Sequence, residues 1–372
     1  MHCNLGCERA HQTRMKYYGS KFLSIKAIFL FSLLSLSFGC NLIKKESKTP
    51  TLLKTENARQ ADLMKEVNRF ARVNSLSAKM DLMFEDNSFA EFGMKEAYRR
   101  APGEVVVQRP AMIRLKVQAP LIGSDIAQMT SDGDTFRVAI LQDGGSGKYK
   151  KFVKGTNNAD YSKLQKTIST TDAIDSKTAK QNVNAFANLR PQHFTDAMLV
   201  RPTSDQYIYT QTTIFQIEDD LMADKKSPLR TVMRGYYLLD EYSKGEGGEL
   251  KIERRFWFDR VVSIRLARQQ IFDDAGEIES DIVYGKEGKL TDTADYTNLP
   301  LQIQVTRPKE KYSMKLSYQT PETVTIGSTY PATAFILQNS WNLEEVDLDK
   351  KMHEAGLDKE QNSNKAGSNR FH

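Results

Sequence analysis

Residues 112–140 read MIRLKVQAPLIGSDIAQMTSDGDTFRVAI. From Ile113 to Gln118 apolar and polar residues alternate strictly, so one face of the strand is buried and the other is wet. A second alternating run follows, then Ser131-Asp132-Gly133, then a third run from Thr135. Asp and Gly between alternating runs are the residues of a tight reversal. The stretch is therefore an antiparallel meander.

Working outward, similar runs recur on both sides. They include SLSAKMDLMF at 75–84, RTVMRGYYLLDEY at 230–242, ELKIERRFWF at 249–258 and KYSMKLSYQ at 311–319. Asp259-Arg260 and Asp274-Ala275-Gly276 mark turns between them. About eleven or twelve such strands predict a mainly β fold with some helix: an unclosed, strongly curved antiparallel β-barrel. One helix is expected from near Glu56, because Leu63, Val67 and Phe70 share a face at spacings of four and three. Two more are expected at 176–189 and around 191–199. They interrupt the sheet and so should form a lid over its concave face.

The N-terminus carries a different signal. Residues 27–39, AIFLFSLLSLSFG, are apolar but too short to span a bilayer, which needs about 20 residues. Basic residues precede them and a small residue precedes Cys40, the order of a secretory signal segment. Met15 opens a better-shaped signal than Met1, which would put Cys3 and Cys7 upstream of the true start. Ser37-Phe38-Gly39-Cys40 resembles a lipobox, although Leu is expected where Ser37 stands. Cys40 is thus the expected lipidation site. The expected organisation is a signal peptide at 1–39, a lipidated tether at 40–55, one domain at 56–346 and a disordered charged tail at 347–372.

Charge and chemistry exclude several classes. The net charge is +6, of which +4 lies in residues 1–39, leaving about +2 for the rest. No nucleic-acid partner is expected from so small a surplus. His193 is the single histidine inside the expected domain, which excludes a multi-histidine metal site. Its place after Pro191 at a helix start suggests a surface or capping role. Residues 144–148, GGSGK, imitate a phosphate loop but lack its leading glycine, since Gln142 stands there. Asp219-Asp220 and Asp273-Asp274 read as solvated turns. No catalytic residue, no metal and no cofactor beyond the covalent lipid on Cys40 is expected, and the chain is expected to be a monomer rather than an enzyme subunit.

The loop between the first two strands is unusual. Pro120 and Gly123 bracket Leu121 and Ile122, two large aliphatics where polar turn residues should stand. Either the loop folds back into the core or it meets a membrane or an acyl chain.

The stretch 112–140 resembles the LolA/LolB lipoprotein-localisation family, and LolB in particular. In LolB an alternating strand runs into an Asn-Pro-Leu-Gly-Ser loop; the matching residues here are Ala119, Pro120, Leu121, Gly123 and Ser124, with Ile122 extra. The resemblance implies an unclosed barrel with a helical lid, an apolar cavity for acyl chains of lipoproteins or lipids, and a soluble LolA-like carrier as a possible partner. It implies a membrane-insertion role for Pro120, Leu121, Ile122 and Gly123, and an outer-membrane location facing the periplasm. It covers about residues 103–155 closely. Residues 254–285 look like LolA-like proteins of other bacterial phyla, and the chain is much longer than a minimal LolB. The inward positions expected to line the cavity are Ile113, Leu115, Val117, Phe136, Val138, Phe256, Phe258, Ile264 and Leu266. A structural or assembly lipoprotein with a packed sheet is the competing reading.

Overall fold

The computed structural model describes residues 49–86, 96–120, 123–142, 147, 150–157, 159, 161, 164, 190–220, 223–227, 229–245, 247–288, 290 and 299–356. Residues 1–49 and 50–372 form separate units, and every element below belongs to the second. Cys40, Leu121, Ile122, the helix expected at 176–189 and the GGSGK stretch, apart from Gly147, lie outside the described residues.

The first strand, β1 (Thr51–Leu52), is followed by helix α1 (Gln60–Ala71). As its periodicity requires, Leu63, Val67 and Phe70 are buried. The backbone N–H of Arg59 donates to Asp62 at 3.0 Å and closes the first turn. Six strands come next: β2 (Ser75–Asp86), β3 (Glu96–Gln108), β4 (Met112–Gln118), β5 (Asp125–Ser131), β6 (Thr135–Ile140) and β7 (Lys151–Thr156). Helix α2 (Pro191–Met198) starts on proline, whose missing N–H is no loss at a helix start. The second half holds β8 (Ile208–Asp219), β9 (Thr231–Lys244), β10 (Leu250–Asp259), β11 (Arg265–Phe272), β12 (Ile278–Gly288), β13 (Leu299–Arg307), β14 (Tyr312–Tyr318) and β15 (Thr325–Ile326). The chain then makes β16 (Glu344–Asp347) and helix α3 (Leu348–Glu354).

All sixteen strands of the described residues belong to one sheet, in the order β1-β9-β10-β11-β12-β13-β14-β2-β3-β4-β5-β6-β7-β16, with β8 also on β9 and β15 also on β2. Most neighbours are sequence-adjacent hairpins. The β14–β2 pairing joins the two halves, with Leu316 opposite Leu82. Helix α2 packs on β4, β5 and β13. In a flat sheet β13 and β5 would lie about 24 Å apart at about 4.8 Å per strand. An eight-residue helix is only about 12 Å long. The sheet must therefore curl around α2, and its two ends stay unpaired to each other. This is the expected open barrel, with helices inside its curve.

Three expectations need correction. The sheet is mixed rather than purely antiparallel, because β1 runs parallel to β9 and β16 parallel to β7. Strands of two to four residues carry too little pattern to be read in advance. The tether is shorter than expected, since Leu52 already pairs with Met233. The tail is not wholly disordered: β16 adds an edge to β7, and Leu348 and Met352 of α3, one turn apart, are buried. Asp347 caps α3 by accepting from Lys350 N–H at 3.0 Å.

Candidate functional site

The concave face is apolar and largely filled. Ile113, Leu115, Phe136, Val138, Phe256, Phe258 and Leu266 are buried, while Val117 and Ile264 are partly buried against the same core. Of these nine, Leu115, Val117 and Val138 line a cleft. The other six pack into the core away from it. Leu82, Phe84, Ala127, Met129, Phe194 and Met314 also line the cleft, as does Met83, which is half exposed. No polar side chain lines it.

The cleft holds about 50 Å³. A void of about 150 Å³ takes a benzene ring. With α2 in place the cleft therefore holds no long chain. Phe194 is why: it projects from α2 into the cleft and is 1% exposed. The aromatic ring occupies space that the curved sheet would otherwise leave open.

Helix α2 is held by polar bonds at several points. The Tyr284 hydroxyl donates to the Ala197 carbonyl at 3.2 Å. Arg109 donates to the Val200 carbonyl at 2.8 Å, just past the helix end. The Tyr312 hydroxyl bonds to Nδ1 of His193. His193 is buried, which corrects the surface or capping role expected from its position. Its partner lies 119 residues away in the chain, so nothing local reveals the contact. Burial, and then the nearby Arg307 and Arg190 guanidinium groups, push its pKa well below the usual histidine value.

A second concavity of about 480 Å³ lies along α2 and is of mixed character, lined by Arg109, Pro110, Thr195, Asp196, Leu199 and Arg201. Burial, then the charge of Glu279, push the Asp196 carboxyl up to about 7 even though part of the residue's surface is open. No sequence signal marked this residue.

The stretch 119–124 joins β4 to β5 at the rim nearest the apolar cleft, whose lining includes Val117 and Ala127 beside the adjoining strand ends. Ala119 N–H donates to the Ser124 carbonyl at 2.9 Å, and Gly123 N–H to the Ala119 carbonyl at 3.1 Å. Gly123 takes φ 68°, a left-handed conformation that glycine adopts without strain. Pro120 and Gly123 are exposed, so the ends of this loop stand in solvent. Leu121 and Ile122 lie between them, outside the described residues.

The acidic pairs behave as turns. Asp273 accepts from Ala275 N–H at 2.9 Å and Glu277 N–H at 3.0 Å, and Arg230 donates to Asp219 at 2.9 Å. Among the described residues no three His, Cys, Asp or Glu side chains are grouped to hold a metal.

With this geometry in place, the chain is similar to solved LolA-superfamily structures. A LolA superfamily protein from Nitrosomonas europaea shares 10% identity at TM-score 0.37, over 75% of this chain and 99% of that one. A putative outer membrane lipoprotein-sorting protein domain from Vibrio parahaemolyticus shares 9% at TM-score 0.36, over 74% and 94%. A DUF1329 family protein from Desulfovibrio piger shares 11% at TM-score 0.35, over 74% and 95%. These likenesses are remote, and the open-barrel architecture rests on the strand order and helix placement described above. No protein-family model and no curated protein matches the sequence.

Proposed function

We propose that this chain is a lipid-anchored, periplasm-facing protein of the outer membrane that binds the acyl chains of lipoproteins or lipids and helps to pass them into that membrane, without catalysis. The observation that carries the reading is the wholly apolar cleft closed by Phe194 of α2, at the same rim as loop 120–123. Cys40, with its preceding signal segment, supplies the anchor, and a soluble LolA-like carrier is the proposed source of cargo.

The mechanism is displacement. Withdrawal of α2 removes Phe194 and exposes an apolar trough along β4, β5 and β6. Each buried CH₂ of a chain gains about 0.8 kcal/mol, so a C16 chain has about 10 kcal/mol before ordering costs. The bilayer offers a similar gain, so exchange is nearly balanced and small differences set its direction. Loop 120–123 stands where a chain would enter or leave.

The test is binding of a fluorescent C16 fatty acid to the purified chain, with mass spectrometry of lipid extracted from it. Saturable binding that rises in Phe194→Ala supports the reading. If neither protein binds, the reading fails. Leu121→Glu should slow transfer of a lipoprotein into vesicles with folding unchanged.

One observation favours a second reading. The cleft of about 50 Å³ is small enough for an ordinary packing gap, as in a structural or assembly lipoprotein. Absence of extracted lipid together with no binding to Phe194→Ala would favour it.

A further inference from the structure

The strands of the open barrel have two sets of ends. One rim carries the start of β9 and β11 and the end of β8 and β10, and it is where the chain enters through β1. The other rim carries the end of β4 and the start of β5, hence loop 120–123 and the cleft mouth. Following the antiparallel pairings across the sheet puts β1 and loop 120–123 on opposite rims.

The entry rim bears a group of exposed large apolar side chains. Leu52 and Ile217 flank Met233 in register from its two sides and are 64% and 63% exposed. Phe215, two residues before Ile217 on the same face, is half exposed. Leu229, in the turn between β8 and β9, is exposed as well. Val262 stands at the tip of the β10–β11 turn, 89% exposed. It has φ 71°, a conformation that β-branched residues almost never adopt. A glycine would make this turn without strain. The strained turn instead displays an aliphatic side chain in water, which is the kind of outlier that marks a functional contact.

We propose that this rim is a membrane-docking surface: Leu52, Phe215, Ile217, Leu229 and Val262 rest in the interface of the bilayer that holds the Cys40 lipid. The proposal rests on the anchoring at Cys40 read above. The length of chain before β1 favours a bilayer over other occupants. Thr51 follows Cys40 by eleven residues, which reach at most about 40 Å. The fourteen residues of β9 rise about 46 Å along the strand, or about 35 Å along a barrel axis at the usual tilt. An inverted domain would need the eleven residues stretched nearly to their limit. The entry rim is within reach at every extension. Charge is nearly balanced there, with exposed Lys225 and Lys226 beside Asp219 and Asp224, so contact is apolar rather than electrostatic. Docked in this way the domain turns its cleft mouth to the aqueous side, where cargo arrives; delivery through loop 120–123 follows when the domain leaves this rim and tips over on its tether, which eleven residues just allow.

The test uses the full acylated chain reconstituted into vesicles of phosphatidylethanolamine and phosphatidylglycerol containing lipids with a nitroxide quencher. Single fluorophores are placed through Val262→Cys or Pro120→Cys, both at exposed turns. The expected result is quenching at 262 several-fold above that at 120, little changed by salt, and reduced several-fold by Leu52→Asp with Ile217→Asp. Equal quenching at both positions, quenching at 120 alone, or quenching at neither overturns the proposal. Shielding at 262 without quenching, together with a dimer mass, would assign the rim to a second copy and overturn it too. The mass of the acylated N-terminal peptide is measured on the same sample. Its absence sinks the anchoring itself, which separates that failure from a misassigned rim.

Discussion

Arg254 and Glu241 sit opposite each other on β10 and β9 and join through two parallel hydrogen bonds of 2.8 and 2.6 Å, both side chains buried. Arg201 donates to the same carboxylate at 2.7 Å, and so does the Tyr209 hydroxyl at 2.7 Å. Arg254 also reaches the Arg201 carbonyl at 3.0 Å. One buried carboxylate thus fixes the segment that leads from α2 to β8. Removing one member of such a pair leaves an unpaired buried charge, at a cost of about 3–5 kcal/mol. Glu241→Ala should lose about that much in denaturant unfolding, whereas Glu241→Leu with Arg254→Met should lie closer to the parent. Near-additive losses in the double variant would refute a coupled pair.

Phe194→Ala should lose stability and gain binding together. Truncating a buried phenylalanine costs about 3–5 kcal/mol. The space it leaves joins the apolar cleft, so affinity for a C16 probe should rise. Titration of the probe against a variant still folded by circular dichroism is the check. A loss of stability with unchanged affinity would mean that Phe194 is core alone.

Asp196 gives stability a dependence on pH. Its folded carboxyl is raised to about 7 by burial first and then by Glu279, against about 3.9 unfolded. Its contribution is therefore full below about pH 4 and is lost as pH rises through about 7. Asp196→Asn should raise the melting temperature at pH 8 and leave it little changed at pH 4. Equal shifts at both values would exclude the carboxyl's titration as the cause.

His193 has the opposite sign. Burial holds it neutral in the folded chain, while the unfolded chain takes up a proton near pH 6.5. Stability is present above that value and falls as pH drops below it. His193→Gln, which can still meet the Tyr312 hydroxyl, should flatten the fall in melting temperature below about pH 6.5. A fall as steep as the parent's would show that other groups cause it.

Val262→Gly should stabilise the fold by about 1 kcal/mol, because left-handed backbone costs a β-branched residue about that much or more. Loss of the side chain should also weaken docking on vesicles. A variant less stable than the parent would mean that the turn is not strained in solution.

Much of the fold was legible in particular residues. Strict alternation in Ile113–Gln118 fixed which face is inside, and Leu63, Val67 and Phe70 fixed the buried face of α1. Depth was not legible. Alternation assigned Ile113 and Leu115 to the same face, but it does not show that Leu115 lines the cleft while Ile113 is buried outside its lining. Nothing in the sequence marks Glu241 and Arg254, because their pairing depends on a register that neither strand shows alone. His193 and Leu348 were misread for the same reason: each is buried by elements far away in the chain.

Helix α2 touches β4 and β5 on one arm of the open sheet and β13 on the other. It is a crossbar across the curve of one continuous ladder, in which β14, β2 and β3 lie between β13 and β4. Its removal by cargo would leave the span between those arms set by whatever lies in the trough. The curvature of the sheet then becomes a gauge of loading, and the distance from β5 to β13, measured by paired spin labels, would report whether a molecule is empty or full.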